Sequence, residues 1–264
     1  DLLEFTESQI INTDFLEILD DKNKNLITNK LLNNNNNNSC DIKILTKSKQ
    51  NVFLRISSSS YIENNKNNYI CICEDISNIH RDELVKSCIY KISEAIHDVD
   101  DLQSLYKEIH YIISDLTNTN NFYIALVDWK TEILTFPYFV DEKDDQPKPS
   151  KLKKGLTEHV LRSQNPLLLN SHLYQKLIDN KSIDVVGSRC MNWLGVPLKL
   201  TNGKTIGMIG IQSYDEKIRF TEEDKKILLF VSDQVAMAIK RKIDDIQIHK
   251  QAHYDQLTGL TNKA

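Results

Sequence analysis

The sequence predicts an α+β protein made of antiparallel strand pairs, with helices between the pairs and one long helix near its end. Three observations predict it. Short runs rich in β-branched and aromatic residues come as adjacent pairs about tight turns, as in Phe122–Val127 followed by Ile133–Val140. Amphipathic helical runs stand between the pairs. From Thr221 onward, Leu228, Val231, Val235, Ile239, Ile243 and Ile246 recur at steps of three or four with no Gly or Pro between them. That spacing predicts a rod of roughly 30 residues, about 45 Å at ~1.5 Å per residue.

Composition narrows the function classes. The 264 residues suffice for one large or two small domains. A net charge of −4 gives no electrostatic case for nucleic acid or an anionic membrane as partner. Apolar runs such as Ile227–Val231 fall far short of the ~20 residues of a membrane helix. The five cysteines are odd in number and irregularly spaced, which points to reduced thiols and a cytoplasmic location. The chain starts at Asp1 and stops inside a motif, so both ends read as cut.

The elements follow in order. Leu2–Leu19 mixes apolar and acidic residues, and the asparagine run Asn33–Asn38 is expected to be a solvated loop. Three strands are expected at Ile42–Ile44, Asn51–Ser59 and Tyr69–Ile76, with a hairpin turn within Glu63–Asn68. Cys71 and Cys73 share a strand face and are expected as small buried hydrophobes. Arg81–Leu116 reads as two helices, the second capped by a carboxylate among Asp98–Asp101. After the Phe122–Val140 hairpin, residues 141–154 form a loop. A helix runs from Gly155 to before Pro166, followed by a short strand at Leu167–Leu169 and a helix at Leu173–Ile178. Strands Asn192–Leu200 and Thr205–Tyr214 flank the turn Asn202-Gly203. Thr221-Glu222-Glu223-Asp224 is a capping box for the long helix.

Five blocks, in order, resemble a GAF domain. They are Asn121–Leu126, Phe136–Glu142, Gly155-Leu156-Thr157-Glu158, Trp193–Leu198, and Ile206-Gly207 through Gln212-Ser213-Tyr214. The resemblance implies an antiparallel sheet with helices behind and a ligand pocket in front, over residues 102–241. Strand parity sends Leu194, Val196, Leu198 and Leu200 one way and Trp193, Gly195, Pro197 and Lys199 the other. Candidate ligand-binding residues are therefore Tyr123, Phe136, Tyr138, Trp193, Met208 and Gln212, with glycines leaving open volume between them. The plainer alternative is that these aromatics only fill the front of the sheet. The cyclic-nucleotide signature of such domains is half missing, with Gln212-Ser213 in place of Asn-Lys and Lys225 in place of the last Glu. Cys190 is followed by Met191 rather than the histidine of bilin sites. No metal site, catalytic constellation or cofactor motif is present, and an unknown small-molecule ligand is expected.

Residues 1–82, ending in Asp75-Ile76-Ser77, resemble the second half of a PAS domain. Residues 83–101 then serve as a linker helix, and 242–252 extend the long helix. In 253–264, Asp255, Leu257, Thr258, Gly259, Leu260 and Asn262 resemble the opening motif of a GGDEF domain, with Lys263 where arginine is usual. The resemblance implies a sensory region ahead of an output that makes cyclic di-GMP from GTP with magnesium, so residues 1–264 are expected to be catalytically silent. The alternatives are the input of a sensor histidine kinase or a ligand-free GAF dimerisation module. A GAF-fold sulfoxide reductase would need several cysteines at the pocket, and only Cys190 falls in that region. Val235, Ile239, Ile243 and Ile246 are expected to form the seam of a homodimer.

Overall fold

The computed structural model describes residues 11, 14–32, 39–46, 51–117, 119–184, 186–215 and 218–253. The chain divides into two units, Asp1–Leu84 and Val85–Ala264.

In the first unit a 3-10 turn, Phe15–Ile18, and helix α1, Asp21–Ile27, precede strands β1 (Ser39–Leu45), β2 (Asn51–Glu63) and β3 (Lys66–Asp75). The sheet is antiparallel in the order β1-β2-β3. Asn64 and Asn65, at φ of 50° and 60°, form the two-residue turn between β2 and β3, the left-handed pair a hairpin of matching twist requires. Cys40, Ile42 and Ile44 alternate inward on β1 and meet Leu54, Ile56, Leu19 and Ile27. This cover stops at β2. The edge strand β3 therefore leaves Cys71 and Cys73 exposed, with Ile70 and Ile72 beside them, and corrects the expectation that the two cysteines are buried. Asp75 Oδ1 accepts from Ser77 N at 2.9 Å, and Ser77 Oγ accepts from Phe53 N at 3.0 Å, which turns the chain into helix α2, Ser77–Asp98.

The second unit takes in the rest of α2, then α3 (Leu102–Thr117), β4 (Asn121–Asp128), β5 (Ile133–Val140) and the two-residue β6 (Ser150–Lys151). Then come α4 (Leu156–Ser163), β7 (Leu167–Asn170), α5 (Ser171–Asp179), β8 (Asn192–Lys199), β9 (Thr205–Ser213) and α6 (Glu222–His253). The six strands form one antiparallel sheet in the order β6-β5-β4-β9-β8-β7. Asp101 Oδ1 caps α3 by accepting from Gln103 N and Ser104 N at 2.7 and 3.0 Å, and these bonds hold its carboxyl below the usual range. The capping box of α6 is closed both ways, Asp224 N donating to Thr221 Oγ1 at 3.1 Å and Thr221 N to Asp224 Oδ2 at 2.7 Å.

Apolar side chains fill both faces of this sheet. Behind it, Ile92 of α2, Ile109 and Ile113 of α3, and Leu228, Val231, Val235 and Ile239 of α6 pack on Ile124, Leu194, Val196, Ile209 and Ile211. In front, α4 and α5 bring Val160, Leu161 and Tyr174 onto Tyr123, Leu134, Trp193 and Met208. Val235 and Ile239 have no exposed surface, so they serve the core of their own domain and are not free for a dimer seam. Ile243 is half-buried against that same core. Among the described residues no helix is long and apolar enough to cross a membrane.

Candidate functional site

The front face of the sheet holds a cavity of about 480 Å³, within the usual ~300–1,000 Å³ of ligand pockets. Its floor is built on a glycine pair. Gly195 of β8 and Gly210 of β9 are direct partners in the ladder. A Cβ on Gly195 would stand 2.1 Å from the Trp193 ring, and one on Gly210 would stand 2.2 Å from the Tyr123 ring. The glycines are thus seats for two aromatic rings laid flat on the sheet. The expected open volume over them is filled, because a strand without side chains lets a neighbouring ring lie down. Trp193 Nε1 donates to Tyr123 Oη at 3.2 Å, and Tyr123 Oη shares a further bond with Thr157 Oγ1 at 3.1 Å. Burial pushes the Tyr123 phenol well up, so it stays protonated.

The structure places Tyr123, Phe136, Trp193 and Gln212 on the cavity wall. Two other expected residues sit elsewhere. Met208 faces the same side but is fully buried, its methyl within 2.9 Å of the Gly195 Cβ position, and it supports the floor from below. Tyr138 points to the opposite face, where its hydroxyl bonds His110 Nδ1 of α3 at 2.9 Å. The reason is a β-bulge. Leu126 pairs with Thr135 and Ile124 with Tyr138, so Ala125 alone faces Phe136 and Pro137. The extra residue reverses the alternation, and Phe139 rather than Tyr138 joins Phe136 in the cavity. Pro137 has no N–H to lose at the bulge. The carbonyls freed there are taken by Gln146 Nε2, on Phe136 O at 2.6 Å, and Gln103 Nε2, on Pro137 O at 3.1 Å.

The polar rim comes from loops. Asp144 accepts from Ser188 N and Ser188 Oγ, each at 2.8 Å, and so ties the loop after β5 to the one before β8. Gly187, at φ +74°, makes the turn that presents Ser188. Gln212 Nε2 donates to Asp141 Oδ2 and to Tyr214 Oη, and Tyr214 donates to Asp141 Oδ1 at 3.0 Å. Burial, then the bond to Asp141, pushes the Tyr214 phenol up. Glu158, on the first turn of α4, is buried, and its Oε1 accepts from Lys153 N at 3.0 Å. Burial pushes the Cys190 thiol to about 11, which leaves it a poor nucleophile at neutral pH. Among the described residues no group of three His, Cys, Asp or Glu side chains could hold a metal ion.

Sequence reasoning missed Phe139, Tyr174, Glu158 and Asp144 as cavity residues. A signal for Phe139 was in view, since a proline inside a strand marks a bulge or an edge. Glu158 ends the Gly155-Leu156-Thr157-Glu158 stretch, at a helix start, and is buried. The opening motif Asp255–Asn262 lies outside the described residues.

The family model for the GAF domain, in its GAF_2 form, matches residues 99–240, more than half of the chain. The chain belongs to the GAF family. Among solved structures, the GAF domain of a phosphoenolpyruvate-protein phosphotransferase from Coxiella burnetii aligns with a TM-score of 0.51 at 14% identity, over 62% of this chain and 98% of that one. A GAF domain from the Acinetobacter phosphoenolpyruvate-protein phosphotransferase aligns at 0.49 and 15%, over 62% and 98%. A Burkholderia vietnamiensis protein described as a GAF sensor aligns at 0.50 and 15%, over 62% and 99%. At these identities the likeness is one of fold. No curated protein matches the chain. GAF membership makes the chain a sensory module in the general sense, one that binds a ligand or passes on a signal.

Proposed function

We propose that this GAF chain is the input region of a cytoplasmic GGDEF signalling protein. A small molecule in the cavity resets α6, and α6 passes the change to a GGDEF output that makes cyclic di-GMP. One observation carries this reading. The sheet that floors the cavity packs, through its other face, on Val235 and Ile239 of α6, and that helix runs unbroken to His253. The motif Asp255-x-Leu257-Thr258-Gly259-Leu260-x-Asn262 begins two residues later. The three-stranded sheet that closes on Asp75-Ile76-Ser77 supports a PAS-type relay ahead of the GAF domain. GTP, magnesium and the catalytic carboxylates belong to the output domain. The input acts as a homodimer, because cyclic di-GMP synthesis joins two GTP held on facing domains.

With Val235 and Ile239 committed to the core, the dimer face shifts. Phe230, Met237 and Ile248 are exposed and stand seven and eleven residues apart, so they fall on one line of α6 opposite the buried stripe. Ile243 packs against the core, and Ile246 is half-buried.

The test is a fusion of residues 1–264 to a diguanylate cyclase catalytic domain. Its rate of cyclic di-GMP formation should change when Cys190→Trp fills the cavity, with the GAF domain still folded by circular dichroism. An identical rate in the two fusions would sink the coupling.

A further inference from the structure

We propose that the cavity takes a small molecule carrying a protonated amine on an apolar body. The amine bonds to Glu158, and the body lies against the aromatic wall. The proposal rests on the sensory reading above and names the ligand class of the same site.

Glu158 is only 6% exposed and lines the cavity. Its Oε1 has the Lys153 amide, but its Oε2 has no hydrogen-bond partner and no ion pair among the described residues. One oxygen of this carboxylate is thus held by the backbone, and the other can accept from a ligand that brings N–H groups. Gln212 adds a second acceptor. Asp141 can only accept, so it fixes the amide with Nε2 toward the rim, and both N–H groups are spent on Asp141 and Tyr214. Gln212 Oε1 is left without a partner among the described residues. The cavity wall thus offers a carboxylate and a carboxamide as acceptors.

Charge points the same way. Asp144, Asp145, Glu158 and Asp184 line the cavity against Lys148 and Lys153. The aromatic wall suits a cation as well as an apolar body. Tyr123, Phe136 and Phe139 sit with ring centroids 5.7–6.2 Å apart on the cavity lining, and an aromatic face attracts a cation. An anionic ligand would meet a buried carboxylate, and a neutral hydrocarbon would use neither acceptor.

Three indoles of one shape separate the classes: tryptamine, tryptophol and indole-3-propionate, titrated calorimetrically into the 264-residue chain at pH 7. Tryptamine should bind roughly tenfold or more tighter than the other two. In Glu158→Gln, which keeps an acceptor for Lys153 N, that preference should vanish while tryptophol binding is unchanged. Equal or tighter binding of tryptophol or indole-3-propionate to the wild type overturns the amine class and leaves the sensory reading standing. So does a preference for tryptamine that survives Glu158→Gln. If none of the three binds the wild type, both the amine class and the ligand-sensing cavity fail.

Discussion

Trp193 and Tyr123 show how much of the site depends on residues with no side chain. Each ring needs a glycine beneath it, and the Trp193–Tyr123–Thr157 hydrogen bonds then fix both rings. Gly195→Ala should force the indole off the sheet and lower stability by about 1–3 kcal/mol, the usual cost of overpacking. Urea unfolding followed at 222 nm measures it, and a shift of the Trp193 emission to the red reports the displaced ring. His110 carries a second prediction at this scale. It is buried, stacked on Phe122 at 4.8 Å, and its Nε2 donates to Asn120 O at 3.1 Å, so Nδ1 accepts from Tyr138. Burial lowers its pKa from the ordinary 6.5. The unfolded chain therefore takes up a proton before the folded one does. Stability should hold above about pH 6.5 and fall as the pH drops below it. In His110→Gln that loss between pH 6.5 and 5.5 should shrink, whatever the variant's stability at pH 7.5.

At the scale of elements, periodicity was legible where a side chain's direction follows from its position alone. The stripe on α6, the capping box at Thr221 and the inward run Leu194-Val196-Leu198 on β8 are of this kind. It misled where a local irregularity intervened, as at β5, whose bulge parts Phe136 from Tyr138. The direction of a stripe was readable, but what it would meet was not: Val235 and Ile239 found their own sheet. Two sets of substitutions separate the faces of α6. Ile239→Ala should cost about 2–5 kcal/mol of stability. Phe230→Ser with Met237→Ser should leave the melting temperature within a degree or two and reduce self-association, as seen by sedimentation velocity at tens of micromolar. A wild-type chain that sediments as a monomer there would remove the dimer face from the proposal.

For the whole molecule, the resemblance carried the architecture, because six strands in fixed order with α3 and α6 behind them leave few alternatives for residues 99–240. The polar half of the cavity was not legible. Asp144, Ser188 and the buried Glu158 come together from loops and a helix start 44 and 14 residues apart, which carry no period. Nothing in a linear pattern says that Asp144 reaches Ser188. Incubation of the 264-residue chain with GTP and magnesium should give no cyclic di-GMP by liquid chromatography. Turnover would overturn the assignment of catalysis to a separate output domain.

The bulge in β5 has a consequence for how news of occupancy could leave the cavity. Phe139 touches the cavity, while Tyr138, its covalent neighbour, touches α3 through His110. One peptide plane is therefore shared by the two sides of the sheet. The ring that lines the cavity and the hydroxyl that bonds His110 Nδ1, whose tautomer Asn120 O fixes, are thus one residue apart. The bulge thus sets a cavity ring and a buried hydrogen-bonded pair behind the sheet on neighbouring residues.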